Sequence, residues 1–169
     1  MDATVTVRPV TGADVPAVVA MVHELAAYEQ APEQCTLTVA QLETALFGAD
    51  AAVFGHVAVD PSGEPVGFAL WFRNFSTWTG SHGIFLEDLY VRPHARGTGA
   101  GRALLSALAA ICVERGYPRF EWSVLDWNPA RDFYHRVGAA PIDGWVPYRI
   151  GGAALHELAA AREPAAPAT

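Results

Sequence analysis

The chain has 169 residues, of which 51% are apolar and 17% charged, a balance that suits one compact α/β or α+β domain. All 11 cations are arginine, and the absence of lysine excludes a Schiff-base lysine, a Walker A loop and a catalytic lysine together. Residues 1–84 hold nine acids and two arginines, which accounts for the whole net charge of −7, while nine acids and nine arginines cancel beyond them. With no basic stripe, nucleic acid is a poor partner and a cationic small molecule a good one.

Cys35 and Cys112 are the only cysteines and the six histidines lack a ligand spacing, so neither a disulfide framework nor a metal site is expected. The longest nearly apolar stretch, Ala103 to Val113, is too short to span a bilayer, and the amino terminus has no secretion pattern. A soluble, cytoplasmic protein is expected.

In chain order, Thr4 to Val10 alternates as a strand and leads to a helix with Val15, Val18, Val22 and Leu25 on one face and Asp14 and Pro16 in its opening turn. A second helix opens with a capping box, Thr38 and Gln41, and stops at Gly48. Ala52 to Asp60 and Pro65 to Asn74 read as an antiparallel hairpin across Pro61-Ser62-Gly63-Glu64, and Phe75 to Gly83 as a loop. Ile84 to Val91 is the next strand. A glycine-rich segment from Arg92 to Gly101 follows, then a helix with Leu104, Leu108, Ile111 and Cys112 on one face. Arg119 to Leu125 is a further strand, Asn128-Pro129 starts a helix through Val137, and a last strand near Trp145 to Ile150 precedes a small helix. The expected domain covers residues 1–161, with a frayed tail at 162–169.

Gly97, Gly99 and Gly101 let the backbone turn sharply and present bare N–H groups at a helix N-terminus, a general device for holding phosphate. A dinucleotide fingerprint needs a glycine where Arg102 stands, and a P-loop needs lysine. What remains is Arg96-x-x-Gly99-x-Gly101, flanked by Arg92, His94 and Arg102, an arginine-rich cluster able to neutralise a pyrophosphate.

Arg96-x-x-Gly99-x-Gly101 between strand and helix resembles the acetyl-coenzyme A loop of the GNAT N-acetyltransferases, and the order of elements is similar over nearly the whole chain. Glu24 to Glu29, Leu86-Glu87-Asp88-Leu89-Tyr90-Val91, Leu125-Asp126-Trp127-Asn128 and Phe133-Tyr134 resemble the branch that holds thialysine and spermidine/spermine N-acetyltransferases. Ser76-Thr77-Trp78 and Leu-Asp-Trp-Asn look closer to its thialysine-type and diamine members. The resemblance implies a GNAT fold with a mixed, mostly antiparallel sheet of six or seven strands flanked by helices. It also implies acetyl-coenzyme A held by Leu89, Tyr90, Val91, Arg96, Gly97, Thr98, Gly99, Ala100, Gly101, Arg102, Asn128 and Tyr134, and a homodimer. Tyr28, Glu29, Trp78, Glu87 and Asp88 would line the amine side. Related sequences place five residues between that asparagine and the Phe-Tyr pair, whereas Pro129 to Asp132 makes four here.

Acetylating a primary amine of pKa near ~10.4 at neutral pH requires a proton acceptor. Simple alternation on Ile84 to Val91 puts Glu87 with Phe85, Leu89 and Val91, and Asp88 with Leu86 and Tyr90, unless a bulge intervenes. An apolar setting would raise Glu87, and the resemblance implies that it draws the amine proton through water. For Asp88, catalysis, attraction of the amine and a structural ion pair stay open. Backbone N–H groups around Tyr90 and Val91 would stabilise the oxyanion, and the resemblance makes Tyr134 the acid for the leaving thiolate. The expected activity is direct acetyl transfer to a small diamine or a lysine- or ornithine-like amino acid. A polyamine acetyltransferase and a non-catalytic acyl-coenzyme A sensor are the alternatives.

Overall fold

The computed structural model describes residues 5–162; Thr4, the expected start of the first strand, and residues 163–169 of the expected tail lie outside the described residues. The chain divides into two compact units between Arg131 and Asp132.

The first unit is built on a five-stranded sheet in the order β1-β2-β3-β4-β5, from β1 (Thr6–Pro9), β2 (Phe54–Val59), β3 (Pro65–Ser76), β4 (Ser81–Val91) and β5 (Phe120–Trp122). The first four strands pair antiparallel and β5 joins β4 in parallel. The β2–β3 turn is tied by Asp60, whose Oδ1 accepts from the Ser62 and Glu64 N–H groups at 2.8 and 3.0 Å. Residues read as a loop, Phe75 to Gly83, extend the next hairpin instead: Phe75 pairs with His82 and Ser76 with Ser81.

Apolar residues at helical spacing place α1 (Val15–Tyr28) and α2 (Val39–Phe47) over one face of the sheet, where Val15, Val18, Met21 and Leu42 share a core with Val57, Phe68, Leu70 and Tyr90. The capping box at α2 is present: the Thr38 N–H donates to Gln41 Oε1 at 2.9 Å and the Gln41 N–H to Thr38 Oγ1 at 3.3 Å. On the opposite face lies α3 (Ala100–Arg115), whose Leu104 packs over Gly67: a Cβ added there would meet the leucine side chain in ordinary contact at 3.5 Å.

The β3–β4 ladder contains one bulge. Leu70 faces Asp88 and Trp71 faces Leu86, so Glu87 is an extra residue on β4 with no partner on β3. Pairing with β5 stops at the same point, its last pair being Leu86 with Trp122. Beyond it, the β4 edge from Glu87 to Val91 carries no ladder with β5.

In the second unit, α4 (Ala130–Arg136), which begins before the boundary, continues past it, and α5 (Gly152–Ala160) closes the described chain. The strand expected near Trp145 to Ile150 is irregular backbone, and the strand expected from Arg119 to Leu125 is cut to Phe120–Trp122, so the sheet has five strands rather than six or seven. Both segments alternate as strands do, but a strand exists only through its ladder, and the described residues offer Trp145 to Ile150 no ladder partner. Trp145, Val146 and Tyr148 are accordingly exposed.

Candidate active site

The glycine loop is as open as its composition requires. Gly97 and Gly99 have φ of 80° and 89°, in the left-handed region, and nothing lies within 4 Å of where a Cβ would be added. Gly99 is the N-cap of α3, and the first helical hydrogen bond runs from the Ala103 N–H to Gly99 O at 2.9 Å, which leaves the N–H groups of Ala100 to Arg102 directed out of the helix end. Thr98 turns its hydroxyl inward, donating to Ala95 O at 2.7 Å. These features fit a coenzyme A pyrophosphate: positive-φ glycines, outward N–H groups, a helix N-terminus and Arg102 exposed in its first turn.

Arg96, expected at the pyrophosphate, has a second set of contacts. Its Nε donates to Val91 O at 3.0 Å and its guanidinium lies over the rings of Tyr28 and Tyr90. Leu89, Tyr90 and Val91 sit on the open part of β4, where unpaired backbone can meet an extended ligand. Tyr90 is buried, and its phenol is raised first by that burial and then by the negative charge of Glu24. Glu24 in turn pairs with Arg92, whose Nη2 lies 3.1 Å from Glu24 Oε1.

The carboxylates are arranged differently from the simple alternation. Because of the bulge, Asp88 lies opposite Leu70 as Tyr90 lies opposite Phe68, on the α1 side of the sheet, while Leu86 pairs with Trp71 on the other side. Glu87, expected in an apolar setting, is exposed at the bulge; Asp88 is half-buried. Burial and the charges of Glu87 and Glu29 push the Asp88 carboxyl up to about 6. Glu29, at the C-terminal end of α1, is half-buried and also raised by burial. The charges of Glu87 and Glu29 thus both act on Asp88, and Glu29 follows Tyr28 at the end of α1.

One residue of this wall went unrecognised as such in the sequence. Trp127, quoted only as part of Leu-Asp-Trp-Asn, tilts its ring against Tyr28 with centroids 6.2 Å apart. Asn128, expected to touch the cofactor, is buried and uses Oδ1 to accept from the Ala130 N–H at 2.9 Å, fixing the start of α4. Trp78 does not join the amine side within one chain. It is 89% exposed in the β3–β4 turn, beyond Ser76, which is six residues along β3 from the partner of Asp88, about 20 Å at ~3.4 Å per residue. Ser76 is buried there and accepts from the Thr79 N–H at 3.3 Å. In the second unit, Tyr134 lies on α4 with its ring 5.4 Å from that of Phe133. Cys112 is buried and its thiol is raised by that burial, an inert setting.

Residues 19–139 match the acetyltransferase (GNAT) family. The chain is 35% identical to the thialysine N-epsilon-acetyltransferase of Sus scrofa, covering 93% of this chain and 98% of the relative. Against the protein of the same name from Caenorhabditis elegans it is 34% identical over 83% of this chain and 88% of the other. An integron cassette protein from the mobile metagenome of V. cholerae superposes with a TM-score of 0.76 and 28% identity, over 92% of this chain and 98% of that one. With an open glycine loop at the start of α3, an unpaired β4 edge and this similarity along its length, the chain belongs to the acetyltransferase (GNAT) family and is an acetyl-coenzyme A-dependent N-acetyltransferase.

Proposed function

We propose that the acceptor is the side-chain amine of a thialysine-, lysine- or ornithine-like amino acid, or one end of a short diamine, acetylated by direct attack on the bound thioester in the cytoplasm. The charges of Glu29 and Glu87 acting on Asp88, with Glu29 next to Tyr28 at the end of α1, carry this reading, because they make a pocket for one ammonium group next to the open edge of β4. The C-terminal end of α1 adds its partial negative charge there. Similarity to thialysine acetyltransferases along nearly the whole chain supports the amino-acid class of acceptor.

In this reading the loop from Arg96 to Arg102 holds the cofactor's pyrophosphate, and the N–H groups near Tyr90 and Val91 receive the oxyanion. A carboxylate of β4 takes the amine proton, and Tyr134 donates to the departing thiolate. Coenzyme A supplies the activated acetyl group as a thioester. Neither cysteine is needed as an acetyl carrier. Screening thialysine, lysine, ornithine, putrescine, spermidine and spermine with acetyl-coenzyme A, scored by thiol release, tests the proposal: an amino acid or short diamine gives the highest kcat/KM. Spermine as the best substrate would replace the acceptor class, and thiol release with none of them would sink the amine pocket.

A homodimer belongs to the same proposal. The exposed side chains of Ile142, Trp145, Val146, Tyr148 and Leu158 support it, since so much apolar surface on one short stretch is unusual for a monomer. Light scattering at micromolar concentration should give twice 18.1 kDa, and a species of 18.1 kDa alone would refute it.

A further inference from the structure

We propose that Glu24 and Arg92 are positioning residues for the cofactor: Glu24, on α1, holds Arg92 and through it sets the place of the glycine loop. The assignment rests on the reading that puts the coenzyme A pyrophosphate at that loop, and names what keeps the loop in position.

By composition Arg92 belongs with Arg96 and Arg102 in a cationic cluster around the glycines, but its side chain is committed elsewhere. Nε and Nη2 lie 3.2 and 3.1 Å from Glu24 Oε1, and Nη1 donates to Pro65 O at 3.2 Å. All three guanidinium nitrogens are thus engaged within the protein. The pair is half-buried, with side-chain exposures of 22% for Arg92 and 37% for Glu24, and joining a carboxylate and a carbonyl at once requires the planar fork of arginine.

The backbone of Arg92 is where the loop begins. Its N–H donates to Val66 O at 2.9 Å, one step past the last β3–β4 pair, and its carbonyl accepts from the Ala95 N–H at 2.9 Å to open a 3-10 turn, Pro93–Ala95. The next links are as short. The Arg96 N–H donates to Pro93 O at 3.2 Å and the Thr98 hydroxyl to Ala95 O at 2.7 Å, which leads directly to Gly99 at the start of α3. Gly97 and Gly99 have no side chain to pack and open space around them, so the loop takes its position from its entry.

The entry is fastened to α1 at matched spacing. Glu24 and Tyr28 are four residues apart, on one face of the helix, and they meet Arg92 and Arg96, also four apart. The upper contact is a guanidinium over a ring, whereas Glu24 with Arg92 is charged and directional. Glu24 is therefore the firmer of the two anchors.

The test is coenzyme A affinity by calorimetry, with kcat at saturating substrates and Tm, in wild type, Glu24→Gln, Arg92→Lys and the double variant. Each single change should raise the coenzyme A dissociation constant by about three- to tenfold and leave kcat within about twofold, because lysine keeps the charge of Arg92 but not its fork. The double variant should bind no worse than the weaker single one, since the two residues act as one unit. Were Arg92 a pyrophosphate ligand held back by Glu24, Glu24→Gln would free it and tighten coenzyme A binding; that result, or wild-type affinity in Arg92→Lys, would overturn the assignment. Additive losses would show that Glu24 does not act through Arg92. A variant that unfolds, or one with lowered Tm and unchanged affinity, would make the pair a brace of the fold and overturn its role at the cofactor. Gly99→Asp separates the two failures: wild-type affinity there removes the loop reading itself, while lost affinity there with no change in Glu24→Gln and Arg92→Lys removes only the positioning role.

Discussion

The guanidinium carbon of Arg96 lies 5.2 Å from the centroid of the Tyr28 ring. A residue of the glycine loop therefore completes the aromatic wall at the end of α1, and the same side chain reaches Tyr90 at 5.7 Å and Val91 O at 3.0 Å. The proposed cofactor side and the proposed amine side thus share a residue. Arg96→Met should weaken coenzyme A binding and also raise the KM for the amine by about two- to fivefold, the worth of an exposed cation–π contact of ~0.5–1 kcal/mol. Unchanged amine KM, with weakened coenzyme A binding, would show that Tyr28 holds its place without Arg96.

Gly99 separates backbone strain from charge in the same loop. Because no atom crowds its missing Cβ, Gly99→Ala pays only for φ of 89°, about 1–2 kcal/mol. Asp tolerates this region better than Ala, so Gly99→Asp should be no less stable. Its added negative charge should nevertheless raise the coenzyme A dissociation constant well beyond the alanine variant. Equal affinity in folded Gly99→Asp and wild type, measured by calorimetry, would remove the pyrophosphate from this loop.

Tyr134→Phe probes the acid. If the phenol protonates the departing thiolate, turnover should fall by roughly two to four powers of ten with little change in affinity for either substrate. Near-normal turnover would leave Tyr134 a packing residue beside Phe133.

What the sequence made legible follows from how locally each feature is determined. The Thr38–Gln41 capping box, the glycine loop and the helix start at Asn128 depend on residues within four positions of each other, and all three are formed. The bulge at Glu87 depends on how β4 fits β3, and nothing in Leu86-Glu87-Asp88-Leu89 states it. Simple alternation therefore assigned the wrong setting to Glu87 and the wrong companion, Leu86, to Asp88. Trp145 to Ile150 shows the same limit: its pattern suits a strand, but pairing is a property of two segments. Trp127 was missed because the partner that gives it meaning, Tyr28, lies 99 positions away.

The Arg8–Asp14 pair governs acid stability at the entry to α1. Arg8 Nη1 and Nη2 donate to the two Asp14 oxygens at 2.6 and 2.9 Å, and the Thr11 N–H and hydroxyl donate to Oδ2 at 2.8 and 2.7 Å. Four donors on one buried carboxylate hold it well below the usual carboxylate range, the Arg8 hydrogen bonds contributing most. A carboxylate depressed on folding adds stability that is complete above its unfolded pKa near ~4 and is lost as pH falls toward the folded value. Asp14→Asn keeps the shape but not the charge, and should cost about 1–3 kcal/mol at pH 7, with Arg8 partly exposed and so partly screened. For a chain of this size that lowers Tm by roughly 2–10 °C. The gap between wild type and variant should stay level from pH 8 to pH 5 and narrow as pH drops below ~4, because only the wild type then loses charge–charge stabilisation. Thermal unfolding followed by circular dichroism across that range measures it. A gap that is constant down to pH 2.5 would mean that the carboxylate's charge contributes nothing and that Asp14 acts as a neutral cap alone.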